Sequence, residues 1–328
     1  MRYNRRRTAL SPTGEGVLRW TRRTEPPSDK GPAETARGEI MSLKTILVPL
    51  AGTDSDPVAL NAAVQVARTF DAHVDALFVK LDPRDAVPML GEGMSGAMVE
   101  EIMRAAEGEA DSHLRTARRT FEAVVQDAKV ELRDVPSGVQ GPSARWREVV
   151  GRVEDVVPVE GRLADLLVFA HSRLDTDTQA YATIETALLG AARPLLLVPG
   201  TLPDRIGRTV AVAWNGSAES ARAIAGAMPF IRSADTVHVL TAETAHTEAA
   251  AGRRTVDYLA WHGVNVQLTI LKPGSEPVGQ TIINKAAALG SDLLVMGGYG
   301  HSRMREMILG GVTRHVLNHA GLPVLMAH

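Results

Sequence analysis

A chain of 328 residues with a formal net charge of −2 and no cysteine excludes disulfide scaffolds, thiolate metal sites and cysteine nucleophiles. It also lacks a global field that would draw in nucleic acid or an anionic bilayer. At roughly 150 residues per domain the length predicts two domains, and no apolar run approaches the roughly 20 residues that span a membrane, so the expected setting is cytoplasmic.

Residues 1–42 carry Arg5-Arg6-Arg7, Arg22-Arg23 and Pro26-Pro27 among scattered Gly and Ser. Such a stretch cannot form a core and is expected to be a disordered basic extension. Neither arginine group is followed by the apolar run of about 7 to 15 residues that an export signal needs. Met41 stands directly before the first strand pattern, "SLKTILVPL", which makes a translation start there an alternative to a functional tail.

A first domain is expected over 43–200. Its strands fall near Thr45, Val74, Val130, Leu166 and Leu195, and its second helix, about Ala97 to Val125, is long and follows a Gly- and Pro-containing insert. "PGTLPDRIG", Pro199 to Gly207, reads as a linker. The second domain, 207–328, alternates more plainly. Strands are predicted at Thr209–Ala213, Thr236–Thr241, Val266–Leu271, Leu293–Met296 and Val324–Met326. Helices are predicted from Ala218 to about Phe230, up to about His262, from Gly279 to Leu289, and through His319. Strands alternating with helices imply βαβ units and parallel sheets covered on both faces.

The two halves share a grammar. "KTILVPLAGTDSDPVALNAAVQVA" matches "RTVAVAWNGSAESARAIAGAM" in kind, "ADLLVFAHSR" matches "SDLLVMGGYGHSR", and each half closes on proline and a short apolar strand, "RPLLLVPG" and "LPVLMAH". The matched pieces keep their order, which reads as a tandem duplication.

In "GGYGHSRMREMILGGVTRHV", Gly297 to Val316, glycines cluster at both ends of a stretch between an apolar strand and a helix. Gly297, Gly300 and Gly310 in this spacing resemble the nucleotide loop of the universal stress protein family, and the resemblance covers both halves from about Lys44. It implies two tandem open five-stranded parallel sheets of order 3-2-1-4-5, with helices on both faces. It also implies an ATP or related adenine nucleotide site in the second half; whether Mg²⁺ accompanies it is left open. Under it, Met296, Gly297 and Gly300 line the ribose and phosphate side, Gly310, Gly311 and Val312 lie under the outer phosphates, and Trp214 and Asn215 flank the nucleoside.

The residue chemistry supports this placement. Glycine lets a backbone turn its N–H groups toward a ligand, and free amides at a helix start favour an anion. Two departures stand out: Gly311 occupies a position usually Ser or Thr, with Thr313 nearby as a substitute hydroxyl, and Asn215 replaces an aspartate beside Trp214. Gly297 and Gly310 could equally serve a tight strand-to-helix connection. In the first half Ala170-His171 stands where the glycines would be, so no nucleotide is expected there.

Other signals point elsewhere. "GEGMSG", Gly91 to Gly96, has the dinucleotide-fingerprint spacing but lies beyond the second strand rather than in the first turn. There is no GxxxxGK[ST] loop and no GxSxG elbow. His315 and His319 share a helix face without the glutamate of an HExxH site, and a structural role is expected for them. His171 and His301 sit in equivalent loops of the two halves, and Arg303, Arg305 and Arg314 form a helix face from which Arg303 could reach phosphate.

No catalytic or metal residue is assigned. The expected protein is a non-enzymatic, ATP-binding stress-response protein, slow hydrolysis aside; the alternative is a structural or interaction protein of the same fold. The apolar closing strands, Leu195–Val198 and Val324–Met326, are expected to pair as an internal pseudo-dimer, with further association of chains left open.

Overall fold

The computed structural model describes residues 6–7, 18–19, 43–86, 95–136, 141–170, 178–243, 249–299 and 311–328. The chain divides into two compact units, Leu43–Ile206 with Met326–His328, and Gly207–Leu325 with Met1–Ser42. Of the amino-terminal extension, Arg6–Arg7 and Leu18–Arg19 form two-residue strands that pair antiparallel with each other.

The first unit begins with β1 (Thr45–Leu50), α1 (Asp56–Phe70) and β2 (His73–Lys80). The long α2 (Gly96–Asp127), the short β3 (Glu131–Leu132), β4 (Ser143–Val150) and α3 (Val153–Gly161) follow. It continues with β5 (Leu166–Ala170), α4 (Thr178–Gly190) and β6 (Leu195–Val198). In α1 a proline at the start presets the first turn, the apolar stripe Ala59, Leu60, Ala63, Val64 and Ala67 is buried, and Asp71 ends the helix in the left-handed region. The parallel pairings set the order β6-β5-β1-β2-β4, with β3 added beside β4.

One element differs from the sequence reading. The third position of this sheet is filled by β4, "SARWREVV", while the strand expected near Val130 is reduced to two residues, so the unit has six strands rather than five. The sequence of β4 hides its place because both sides of the strand carry charge. Arg145 and Arg147 both bond Asp75 of the neighbouring β2, at 2.8 and 3.0 Å, and Arg147 also reaches Glu160 of α3 at 2.6 Å. On the opposite face Trp146 packs on Phe78 and on Phe121 of α2, with ring centroids 6.3 and 5.6 Å apart. Strand alternation therefore sets α2 and α3 on opposite faces of the sheet.

The second unit runs β7 (Thr209–Ala213), α5 (Ala218–Gly226), α6 (Met228–Ser233), β8 (Thr236–Ala242) and α7 (Ala249–Trp261). After these come β9 (Val266–Leu271), α8 (Val278–Ala288), β10 (Leu293–Gly297), α9 (Val312–His319) and β11 (Val324–Ala327). The single helix expected from Ala218 to Phe230 is broken in two, because Pro229 supplies no N–H and its ring crowds the preceding turn. Strand order is β9-β8-β7-β10-β11, with β7, β8, β9 and β10 parallel, and Leu18–Arg19 pairs antiparallel on the β9 edge.

The duplicated "DLLV" pieces have a shared structural use. Asp165 accepts from the Lys44 and Thr45 amides at 2.8 and 2.9 Å, and Asp292 from the Gly207 and Thr209 amides at 2.9 and 3.1 Å. Each carboxylate pins the start of the first strand of its unit to the start of the strand beside it. Burial pushes the Asp292 carboxyl above its ordinary value, while the amide donors pull it back.

Candidate functional site

Chain order reverses between β7 and β10 of the second unit. From β7 the chain proceeds outward to β8 and β9, and from β10 outward to β11, so a crevice opens at the carboxyl ends of β7 and β10. Met296 is in register with Ala213 across it. Residues Trp214 to Ser217 lead from β7 into α5 on one side. On the other, Gly298 and Tyr299 leave β10, and Gly311 opens α9. Gly300, Gly310, His301, Arg303 and Arg305 lie outside the described residues, as does His171 of the first unit.

Most amides on the β7 side have protein partners. The Trp214 N–H donates to the Leu240 carbonyl at 2.8 Å, Asn215 is exposed and its Oδ1 accepts from the Ser217 N–H at 3.1 Å, and Ser217 caps α5 by accepting from the Ser220 N–H at 3.1 Å. Asn215 thus stabilises its own turn. The Trp214 indole is half-buried, and its Nε1 is fully buried with no hydrogen-bond partner among the described residues. Leaving such a donor unpaired costs about 1 to 3 kcal/mol.

On the β10 side, Gly297 is needed for packing. A Cβ there would lie 2.6 Å from the Ser220 nitrogen and 2.8 Å from the Glu219 carbonyl carbon, so the missing side chain faces the first turn of α5. Met296 is buried at the end of the strand. Tyr299 adopts a φ of 54°, uncommon without glycine, and its N–H donates to Thr313 Oγ1 at 3.2 Å. The Thr313 hydroxyl considered as a substitute for the missing Ser or Thr is therefore committed to this loop, and its side chain is buried.

Gly311 and Val312 are half-buried at the start of α9. Gly311 is the N-cap and has no side chain to occupy the first-turn amides. Further along the same helix, the His315 and His319 rings stack at 4.3 Å with an interplanar angle of 15°. His315 Nε2 meets Gln280 Oε1 at 2.9 Å and His319 Nδ1 meets the His315 carbonyl at 2.8 Å. Burial, and then the charge of His319, hold the His315 imidazole below its ordinary value. The His315–Gln280 bond ties α9 to α8, and among the described residues no group of three or more His, Asp or Glu side chains is arranged to hold a metal.

Residues 207–328 match the model of the universal stress protein family. The fold is similar to that of a universal stress protein from Archaeoglobus fulgidus DSM 4304, with 14% identity, a TM-score of 0.63, and coverage of 87% of this chain and 96% of that one. A putative universal stress protein from Pseudomonas aeruginosa UCBPP-PA14 aligns at 17% identity and TM-score 0.48 over 87% and 92%. A universal stress protein in complex with cAMP aligns at 19% and 0.31 over 48% and 98%. No curated protein matches the sequence. The similarity to the universal stress protein family thus rests on the sequence of residues 207–328 and, for the rest of the chain, on the fold alone.

Proposed function

We propose that the second unit binds ATP or a related adenine nucleotide in the crevice between β7 and β10, and that the protein acts in a cytoplasmic stress response by its binding state rather than by turnover. The observation that carries this reading is the uncapped start of α9. Its first-turn amides lie at the carboxyl end of β10 beside the chain reversal, where an anion gains about 0.3 to 1 kcal/mol from the helix dipole when exposed and more when buried. The family match of residues 207–328 supports it. Gly300 and Gly310 with Met296 complete the proposed loop, Gly297 packs its start against α5, and Gly311 and Val312 receive the outer phosphates.

A second reading has its own observation. Gly297 is accounted for by contact with α5, and the Tyr299 amide by Thr313, as in a protein of this fold that serves interaction or structure without a nucleotide. Val312→Asp separates the two. An acid in the first turn suits the helix dipole but repels phosphate, so under the nucleotide reading it lowers ATP affinity about tenfold or more with no loss of thermal stability. Unchanged ATP affinity, or no ATP binding by the parent protein, favours the second reading.

The internal pseudo-dimer through Leu195–Val198 and Val324–Met326 is proposed on the apolar character of those two strands. A cysteine introduced into each, in a chain that has none of its own, should form a disulfide within one chain; two free thiols after oxidation would contradict it.

A further inference from the structure

The first unit has its own crevice, at the carboxyl ends of β1, β2 and β5, and there the structure forms a half-open cavity of about 690 Å³. That volume falls in the range of small-molecule sites. Apolar walls come from Leu50, Phe78, Val79, Phe169 and Ile184, all five buried among the core side chains of the sheet and α4. Helix α2 lies along one side with Ala106, Glu109, Ala110 and His113. This crossing is fixed by Gly52, whose φ is +74° and where a Cβ would lie 2.4 Å from the His113 carbonyl oxygen; no other residue fits at that point.

The charge of the lining decides what the cavity can hold. Asp54, Asp56, Glu109 and Glu154 line it, His113 is the one titratable nitrogen base, and no lysine or arginine is among the described residues around it. A phosphate would need the amides of the loop after β1, but Asp56 has taken them: its buried carboxylate accepts from the Ala51 and Gly52 N–H groups at 3.1 and 2.8 Å. An anion entering here meets the buried Asp56 and the half-buried Glu154, with the exposed Asp54 and Glu109 beside them in water. Among the described residues, the carboxylates around the cavity form no cluster of three that could hold a metal ion. Apolar walls with dispersed negative charge suit a cation whose charge is carried by an organic body.

We propose that the first unit binds a small organic cation, a protonated amine or quaternary ammonium with an aromatic or branched aliphatic body, in the cavity between α2 and the carboxyl ends of β1, β2 and β5. The apolar body lies against Phe78, Phe169 and Ile184, and Glu109 and Glu154 face the charge. This site is separate from the nucleotide site of the second unit, so the two halves of the duplication recognise ligands of opposite charge.

Calorimetry on the full chain tests this with two probes of similar size, benzyltrimethylammonium and 3-phenylpropanoate. The cation should bind at least about tenfold more tightly than the anion, and binding should weaken as salt rises. Glu109→Gln with Glu154→Gln should weaken it by a further factor of about ten, while Ala110→Trp, which fills the cavity from the half-buried face of α2, should abolish it. The Val312→Asp variant should bind the cation unchanged, so loss of the nucleotide reading leaves this one standing. Equal binding of the two probes, no binding of the cation, or cation binding that survives Ala110→Trp in a chain with the parent's melting temperature would each overturn the proposal.

Discussion

Gly297 shows how one residue type can answer two demands. From sequence, its place after an apolar strand and ahead of Gly300 and Gly310 suggests backbone kept bare for a ligand. In the structure its bareness is used by α5, whose Glu219 and Ser220 backbone would collide with any Cβ. Gly297→Ala should therefore cost about 1 to 3 kcal/mol of stability, because the atoms in the way are backbone and cannot rotate aside. A lowered urea midpoint with a largely retained affinity for added ATP would agree; an unchanged midpoint would show that α5 shifts freely. The neighbouring Tyr299 and Thr313 could not be read this way from sequence. A hydroxyl fourteen residues away that receives an amide from a residue of positive φ leaves no periodic trace.

At the scale of elements, the strands buried on both faces were the most legible, because runs such as "TVAVA", "VQLTIL" and "LLVMG" have no other stable place than a covered parallel sheet. β4 was not legible, because its register with β2 is held by Asp75, Arg145 and Arg147, and a charge pair in three dimensions is two unrelated polar residues in one. The break between α5 and α6 was written in Pro229, yet the alanine-rich approach masked it. A pH dependence belongs to β8. Burial first, and the charge of Lys285 second, hold the His238 imidazole below its ordinary value of 6.5. The unfolded chain then binds the proton more readily than the folded one, so stability is lowest in acid and rises as pH climbs to about 6.5, above which this contribution is flat. His238→Leu should reduce that slope, leaving the share due to His73 and His315, which burial holds down in the same sense. Urea midpoints at about pH 5.5 and 7.5 check it, and an undiminished slope would contradict the assignment.

For the molecule as a whole, the formal charge is near neutral and no helix among the described residues is long and apolar enough to cross a membrane. The two units share a frame, down to the Asp165 and Asp292 pins, while the crevices differ. In one, Asp56 fills the loop amides and carboxylates line a cavity; in the other, a helix begins at a glycine that offers no side chain to its first-turn amides. Such a division predicts one nucleotide per chain rather than two. The most direct test is to denature the purified full chain and quantify the released adenine nucleotide by anion exchange, for the parent and for Val312→Asp. About one equivalent from the parent and close to none from the variant is the predicted result; release of none or of two equivalents by the parent, or of one by Val312→Asp, would contradict the site.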